Sequence, residues 1–288
     1  MDELTTTDLQ DLLPGIFDAC GEAGAILREH FRSSELSPDT KDDGTPVTVA
    51  DRGAEAVLRQ RLGSLCPDFG FLGEELGASG NQRVRWVLDP IDGTRNFVDG
   101  LPWFATLIAL QDDDDTVLSV IHAPVLGSAG SLGGADPGAS EDIAGWTWWA
   151  VRGGGAFGAP GLPATPEDRR ARRLAVSATS QLSDTFLTHG GVRHLYTTGE
   201  WEQFTRLIGE VRRTRSFGDW WGHVLVAEGR VDATIDVGIE LYDIAAPGLL
   251  VQEAGGAVTM QPSSVGSKLR ALTSNASVHD PVLRTLGW

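Results

Sequence analysis

The sequence predicts an α/β protein, and three observations carry that expectation. Residues 8–31 and 48–65 repeat apolar side chains at helical spacing. Residues 84–88 form a short apolar run that ends in acids, the pattern of a buried strand. In the second half, short strand-like and helix-like pieces alternate. The 288 residues suffice for one large domain or two tightly joined halves. The expectation is one domain over 1–288, with sub-structures of about 1–170 and 171–288.

Hydrophobic residues make up 41% of the chain, enough for a real core. The net charge of −17 argues against nucleic acid and anionic membranes as partners. An acidic protein that handles phosphate must supply local positive potential, and bound metal is the economical source. Cys20 and Cys66 make neither a disulfide framework nor zinc spacing, and are expected reduced and buried. There is no signal peptide and no run of about 18 apolar residues, so the expected location is cytoplasmic.

Taken in order, Leu9, Leu12, Leu13, Ile16, Phe17, Cys20, Ala23, Leu27 and Phe31 make one helical face, with Thr7 or Asp8 as N-cap. A polar turn follows at 41–46. Thr48 caps a second helix whose apolar face is Ala50, Ala54, Val57, Leu58, Leu62 and Leu65. Asp51 lies in its first turn, where a negative charge is favourable on dipole grounds alone. Strands are expected at 69–72 and 84–88, and a hairpin over 104–111 and 116–123. The four acids at 112–115 lack EF-hand spacing and read as its solvated turn. Residues 127–145 read as a flexible loop, 146–151 as a strand and 153–166 as a Gly/Pro-rich loop. The basic run at 169–173 reads as a solvated face. Further strands fall at 173–177, 211–215, 231–236, 256–260 and 269–274. Helices fall at about 199–209, 218–229, 243–254 and 279–286, with Gly255 and Gly256 as a helix stop.

The chemistry gathers around residues 86–96. Asp89 and Asp92 stand at the carboxyl end of the 84–88 strand, followed by Gly93 and Thr94. Carboxylate and carbonyl oxygens suit Mg²⁺, and the free backbone N–H groups of Gly93 and Thr94 suit phosphate oxygens. A surface turn is the plain alternative, since Asp-Gly is common turn chemistry. Gly73-Glu74-Glu75, at the end of another apolar run, adds a second acidic cluster. Asp243 follows the 231–236 strand and opens a helix, where it can serve simply as N-cap. As a functional acid it joins Glu74, Asp89, Asp92 and the Ile91 carbonyl in a site for two or three Mg²⁺. Two such ions clamp the attacking water and the leaving oxygen of a phosphoryl transfer.

Gly73-Glu74-Glu75, Asp89-Pro90-Ile91-Asp92-Gly93-Thr94 and Asp243-Ile244-Ala245-Ala246 with Glu253-Ala254-Gly255-Gly256 resemble the inositol monophosphatase family of Mg²⁺-dependent, lithium-sensitive phosphatases. The opening Lys41-x-Asp43-Gly44-Thr45-Pro46-Val47-Thr48-x-Ala50-Asp51 matches too. The resemblance runs from about residue 8 to the end. It implies a layered αβαβα sandwich, shared with fructose-1,6-bisphosphatase. It implies Glu74, Asp89, the Ile91 carbonyl, Asp92 and Asp243 as metal ligands, and Asp92, Gly93 and Thr94 as the phosphate site. Thr94 and Asp51, with Glu74, would position and activate the attacking water, with no phosphoenzyme. A homodimer acting on a small phosphorylated metabolite is implied as well.

Within the family, residues 213–232 and 96–110 look most like the actinobacterial histidinol-phosphate phosphatases. Histidinol phosphate carries an amine and an imidazole, which acids such as Asp219 and Asp236 would suit; Arg215 lies in the same segment as a further expected contact. Asp219 also reads as a helix N-cap. Three features depart from the pattern: Tyr242 in place of Trp, Asp99 in place of a basic residue, and the 127–145 insertion. Inositol, sugar and aminocyclitol phosphates therefore stand as alternatives. A haloacid-dehalogenase-type phosphatase needs Asp-x-Asp, whereas here the spacing is Asp89-x-x-Asp92, and its later lysine has only Lys268 to supply it. A non-catalytic ligand-binding relative would have lost a metal ligand or the water-activating pair, and both are present. His223, one turn beyond Asp219, can line the pocket, although core packing is the commoner fate.

Overall fold

A computed structural model describes residues 4–33, 39–40, 46–127, 144–263 and 268–288. Most of the polar turn at 41–46 and most of the 127–145 loop lie outside the described residues. The chain divides into two compact units, Met1–Arg172 and Arg173–Trp288.

In the first unit α1 spans Thr6–His30, and its cap is Thr5 rather than Thr7 or Asp8. Thr5 Oγ1 accepts the Asp8 N–H at 3.2 Å and Asp8 Oδ2 accepts the Thr5 N–H at 3.0 Å. This reciprocal box satisfies two end donors, so the helix begins before its apolar pattern does. Two short strands, β1 (Asp39–Thr40) and β2 (Pro46–Val47), pair antiparallel. Then α2 (Val49–Leu65) starts where the sequence places it, with Thr48 Oγ1 accepting the Ala50 N–H at 3.1 Å. It buries Ala50, Ala54, Leu58 and Leu62, and with them Asp51 and Glu55. Leu65, expected on that face, is 36% exposed at the helix end.

Both helices pack on a mixed sheet. Its strands are β3 (Gly70–Gly73), β4 (Gly77–Ser79), β5 (Val84–Asp92), β6 (Ala105–Asp112), β7 (Asp115–Gly127), β8 (Ala144–Val151), β9 (Gly155–Pro160) and β10 (Arg172–Arg173). They are ordered β10-β9-β8-β7-β6-β5-β3-β4, with a one-turn helix α3 (Thr94–Val98) after β5. The 104–123 hairpin forms as expected. The expected loop at 153–166 instead contains β9, paired along its length with β8. Its Gly and Ala residues hid it, but Phe157 stacks on Trp149 at 5.8 Å between centroids, so the small residues fit beside bulky tryptophans. The expected strand at 173–177 shrinks to β10. The basic run is less open than expected, because Arg170 pairs with Asp168 at 2.6 Å and Arg172 lies over the Trp146 ring. Phe17, Trp86, Phe97, Phe104 and Trp149 anchor the core between helices and sheet.

The second unit contains β11 (Phe186–His189), α4 (Val192–Thr197), α5 (Trp201–Glu210), β12 (Arg213–Arg215), α6 (Asp219–Ala227), β13 (Ala233–Ile239), α7 (Leu241–Glu253), β14 (Gly256–Pro262), β15 (Leu269–Asn275) and α8 (Ala276–Leu286). Its sheet order is β12-β11-β13-β15-β14; the first three strands are parallel and the last pairs antiparallel. The sequence does not announce β11 and α4. β11 is four residues long and becomes a strand because it has a parallel partner on either side.

Candidate active site

In the first unit β5 does not stop at Leu88 as expected but runs on to Asp92. Its register with β6 shifts: Asp89 faces Leu107 and Asp92 faces Ala105, so one extra residue sits on the β5 side. That is a β-bulge, and Pro90 suits it because it has no N–H to lose from the ladder. Three bonds hold the bulge. Thr106 Oγ1 donates to the Pro90 carbonyl at 2.9 Å, the Ile91 N–H donates to Asp89 Oδ1 at 2.9 Å, and Thr94 Oγ1 donates to the Ile91 carbonyl at 2.9 Å. The Ile91 carbonyl has two lone pairs, so this bond does not exhaust it. Gly93 follows at φ +87°, and a Cβ there would lie 2.8 Å from the Trp103 carbonyl. Only glycine fits that left-handed, crowded position.

Glu74 reaches the same strand end from β3. Its N–H donates to the Leu88 carbonyl at 3.1 Å, one residue before Asp89. Asp51 comes from α2, fully buried. Its Oδ2 accepts the Thr48 N–H at 2.7 Å and the Thr48 hydroxyl at 2.6 Å, while Oδ1 is buried with no hydrogen-bond partner. Burial pushes this carboxyl above the usual carboxylate range; the bonds from Thr48 oppose that, and the nearby Glu74 charge reinforces it. An orphaned buried carboxylate oxygen costs free energy unless a proton or cation meets it. Among the described residues, no three or more His, Cys, Asp or Glu side chains are grouped so that they could by themselves hold a metal ion. The fit to a divalent cation therefore rests on donor chemistry: an orphaned Asp51 oxygen, a repelling Glu74 and a bulge presenting carboxylates beside a carbonyl, all hard oxygen donors suited to Mg²⁺.

The second unit holds its own acidic group. Asp236 on β13 is buried and accepts the Val237 N–H at 3.1 Å and the Asp219 backbone N–H. Burial, and then the charges of Asp219 and Asp243, hold its carboxyl well above the ordinary range. A Cβ on Gly190 would collide with the Asp236 carboxylate, so the chain passes that acid only as glycine. Asp219 is not the N-cap of α6; Gly218 is. Asp219 is instead the first helical residue at φ +56°, a left-handed conformation costing a non-glycine residue about 1 kcal/mol. Asp243 does not open α7 either. The helix starts at Leu241 behind Glu240, and Asp243 Oδ2 accepts the Glu240 N–H at 2.8 Å. The backbone donor needs an acceptor three residues on, so Asp243 closes a capping box instead of starting the helix. Arg215 is exposed at the end of β12 and donates to the Thr214 carbonyl at 2.8 Å. His223 faces the core, where Nδ1 meets Thr273 Oγ1 at 2.8 Å.

Sequence reasoning passes over two supporting residues. Thr106 is the lone hydroxyl within an otherwise apolar run, and that break in the run is its signal. Glu55 is a charge on the buried face of α2, one turn beyond Asp51.

The chain matches the inositol monophosphatase family over residues 8–283. It is 36% identical to the histidinol-phosphatase of Streptomyces coelicolor, covering 91% of each chain. It is 38% identical to the histidinol-phosphatase of Mycobacterium tuberculosis, covering 92% of this chain and 93% of that one. Among solved structures, the extragenic suppressor protein suhB of Bartonella henselae superposes with a TM-score of 0.75 at 29% identity, covering 96% of this chain and 98% of that one.

Proposed function

The chain belongs to the inositol monophosphatase family, and from that premise we propose that it hydrolyses L-histidinol phosphate to L-histidinol and phosphate with Mg²⁺. Its family fold is a layered α/β sandwich and its activity that of a phosphomonoester hydrolase. The observation that carries the substrate reading is the buried Asp236 with Asp219 and Asp243 beside it. Such a carboxylate recovers its charge when a cation approaches, and the amine or imidazole of histidinol phosphate supplies one. An inositol phosphate brings only hydroxyls.

The proposed metal ligands are Glu74, Asp89, the Ile91 carbonyl and Asp92 in the first unit, and Asp243 in the second. When bound, Mg²⁺ lowers the pKa of water and neutralises charge developing on the phosphate. The rest of the work falls to the chain. The backbone N–H groups of Gly93 and Thr94 hold phosphate oxygens. Asp51, locked by Thr48, turns its open Oδ1 to the attacking water, and Thr94 and Glu74 fix that water's position. Asp219 and Asp236 orient the substrate's cationic end, and Arg215 is a further substrate contact. A cytoplasmic homodimer, one family domain per chain, completes the proposal. Among the described residues no helix is long and apolar enough to cross a membrane.

The test is phosphate release with Mg²⁺ from L-histidinol phosphate, myo-inositol 1-phosphate and fructose 1,6-bisphosphate in parallel. A kcat/KM at least tenfold higher for histidinol phosphate is expected. A preference for inositol 1-phosphate would move the assignment to Tyr242, Asp99 and the other departures.

A further inference from the structure

Glu55 lies fully buried one turn beyond Asp51 on α2, yet the reaction scheme gives it no task. Its carboxylate closes onto the segment that leaves β3. Oε2 accepts the Glu75 N–H at 2.7 Å and Oε1 accepts the Leu76 N–H at 3.2 Å. Arg59, one turn further along α2, donates from Nε to Oε1 at 2.8 Å. Its other nitrogens reach the Gly77 carbonyl and Ser79 Oγ, and its guanidinium lies over the Phe71 ring at 5.2 Å. On the opposite side the Glu74 N–H is held by the Leu88 carbonyl of β5 at 3.1 Å. Three consecutive N–H groups, at 74, 75 and 76, are therefore pinned, the first by the sheet and the next two by Glu55. The contact is tight, since a Cβ on Gly73 would collide with the Glu55 carboxylate.

We infer that Glu55, backed by Arg59, is a positioning residue that sets the direction of the Glu74 side chain toward a divalent cation. The inference rests on reading Glu74 as a metal ligand. A carboxylate suits the task because it accepts two backbone N–H groups and an arginine at once. An amide in its place would turn a donor toward one of those donors. A clamp serving only to fasten α2 to the sheet has no reason to end on the residues that flank Glu74. Groups that orient a ligand without touching the ion typically change metal affinity by about 10–100-fold when removed.

The test is Mn²⁺ binding to the full chain, followed by the electron paramagnetic resonance signal of free Mn²⁺, at a temperature well below every variant's melting. Glu55→Gln is expected to weaken Mn²⁺ about tenfold or more. Raised Mg²⁺ should restore its turnover, with the substrate KM at saturating Mg²⁺ unchanged. Arg59→Ala, which spares the carboxylate, should lose affinity in the same direction but less. A Glu55→Gln chain that melts earlier yet binds Mn²⁺ like the wild type overturns the inference. If Glu55→Gln does not fold, Arg59→Ala decides by the same criterion. Glu74→Gln is the control. Loss of affinity there but not in the other two sinks the positioning role alone, whereas no loss in any of the three sinks the ligand reading together with it.

Discussion

At the scale of single residues, the two units present acids held in different ways. Asp89 is buried and tied to the Ile91 N–H, a bond that an asparagine carbonyl oxygen can keep. Asp89→Asn should therefore leave the melting temperature within a few degrees of the wild type while turnover falls on the order of a thousandfold, about 4 kcal/mol of barrier. Turnover retained within tenfold would remove Asp89 from the metal set. Asp236 is the opposite case, because the fold resists its charge. A carboxyl whose folded pKa is raised supports the fold below its unfolded pKa and loses that support as pH rises through the folded value. Asp236→Asn cannot ionise, so in EDTA its stability advantage over the wild type should grow from acid toward neutral pH. Its KM for histidinol phosphate should rise about tenfold, the worth of a charge-assisted bond. A stability difference that does not change with pH would contradict the burial argument.

Among the elements, the bulge in β5 does the most to shape the candidate site. It inserts one residue between Asp89 and Asp92 opposite β6, and the Ile91 carbonyl within it accepts the Thr94 hydroxyl. Thr106 holds it through the Pro90 carbonyl. Thr106→Val keeps the shape and removes the donor, leaving a buried carbonyl short of one bond. A loss of about 1 kcal/mol is expected, a fall in Tm of roughly 2–4 °C. Turnover should fall by more than that loss of stability explains, because the carbonyl and both acids ride on the bulge. A variant that melts early but turns over normally would show that the bulge holds without Thr106. The second unit's elements make a related point: Gly190 leaves room for the Asp236 carboxylate, and Gly218, just before the left-handed Asp219, packs close against the Gly190 backbone.

For the molecule as a whole, burial lowers the pKa of four histidines, His122 in the first unit and His189, His223 and His279 in the second. Stability is expected to fall in acid on their account, most through His122 and His223. Burial pushes His122 down to about 3 and His223 down to about 4 from an ordinary 6.5. Between those values the unfolded chain binds protons that the folded chain refuses, so stability is full above about pH 6.5 and drains away as pH falls. At pH 5 each ring costs on the order of 2 kcal/mol. Urea midpoints should therefore drop between pH 7 and pH 5, and His122→Gln should flatten part of that fall. Superimposable wild-type and variant profiles would show that the ring is not the source. Asp51 and Asp236, raised instead, act with the opposite sign, so only the difference between variant and wild type isolates the histidine.

Much of the local structure was legible along the chain, for a local reason. The cap at Thr48, the helical faces, the hairpin and the acid-rich strand end at Asp89 and Asp92 depend on neighbours within about four positions, which periodicity and turn chemistry report directly. The same locality explains the errors of detail. The start of α1 and the roles of Asp219 and Asp243 turned on which nearby donor needed an acceptor, and several residues could have supplied one. What spacing could not carry was distant contact. The β9 strand exists because tryptophans of β8 cover its small residues, and β11 because partners lie on both its edges. The bulge depends on Thr106, sixteen positions from Pro90, and the hold on Glu74 depends on Glu55, some twenty positions from the backbone it binds. The sequence by itself determined which oxygen donors the chain owns and which family it joins, because those are properties of residue type and order. Only the tertiary structure decided how the donors are aimed, because direction comes from backbone pinned by side chains that are remote in sequence.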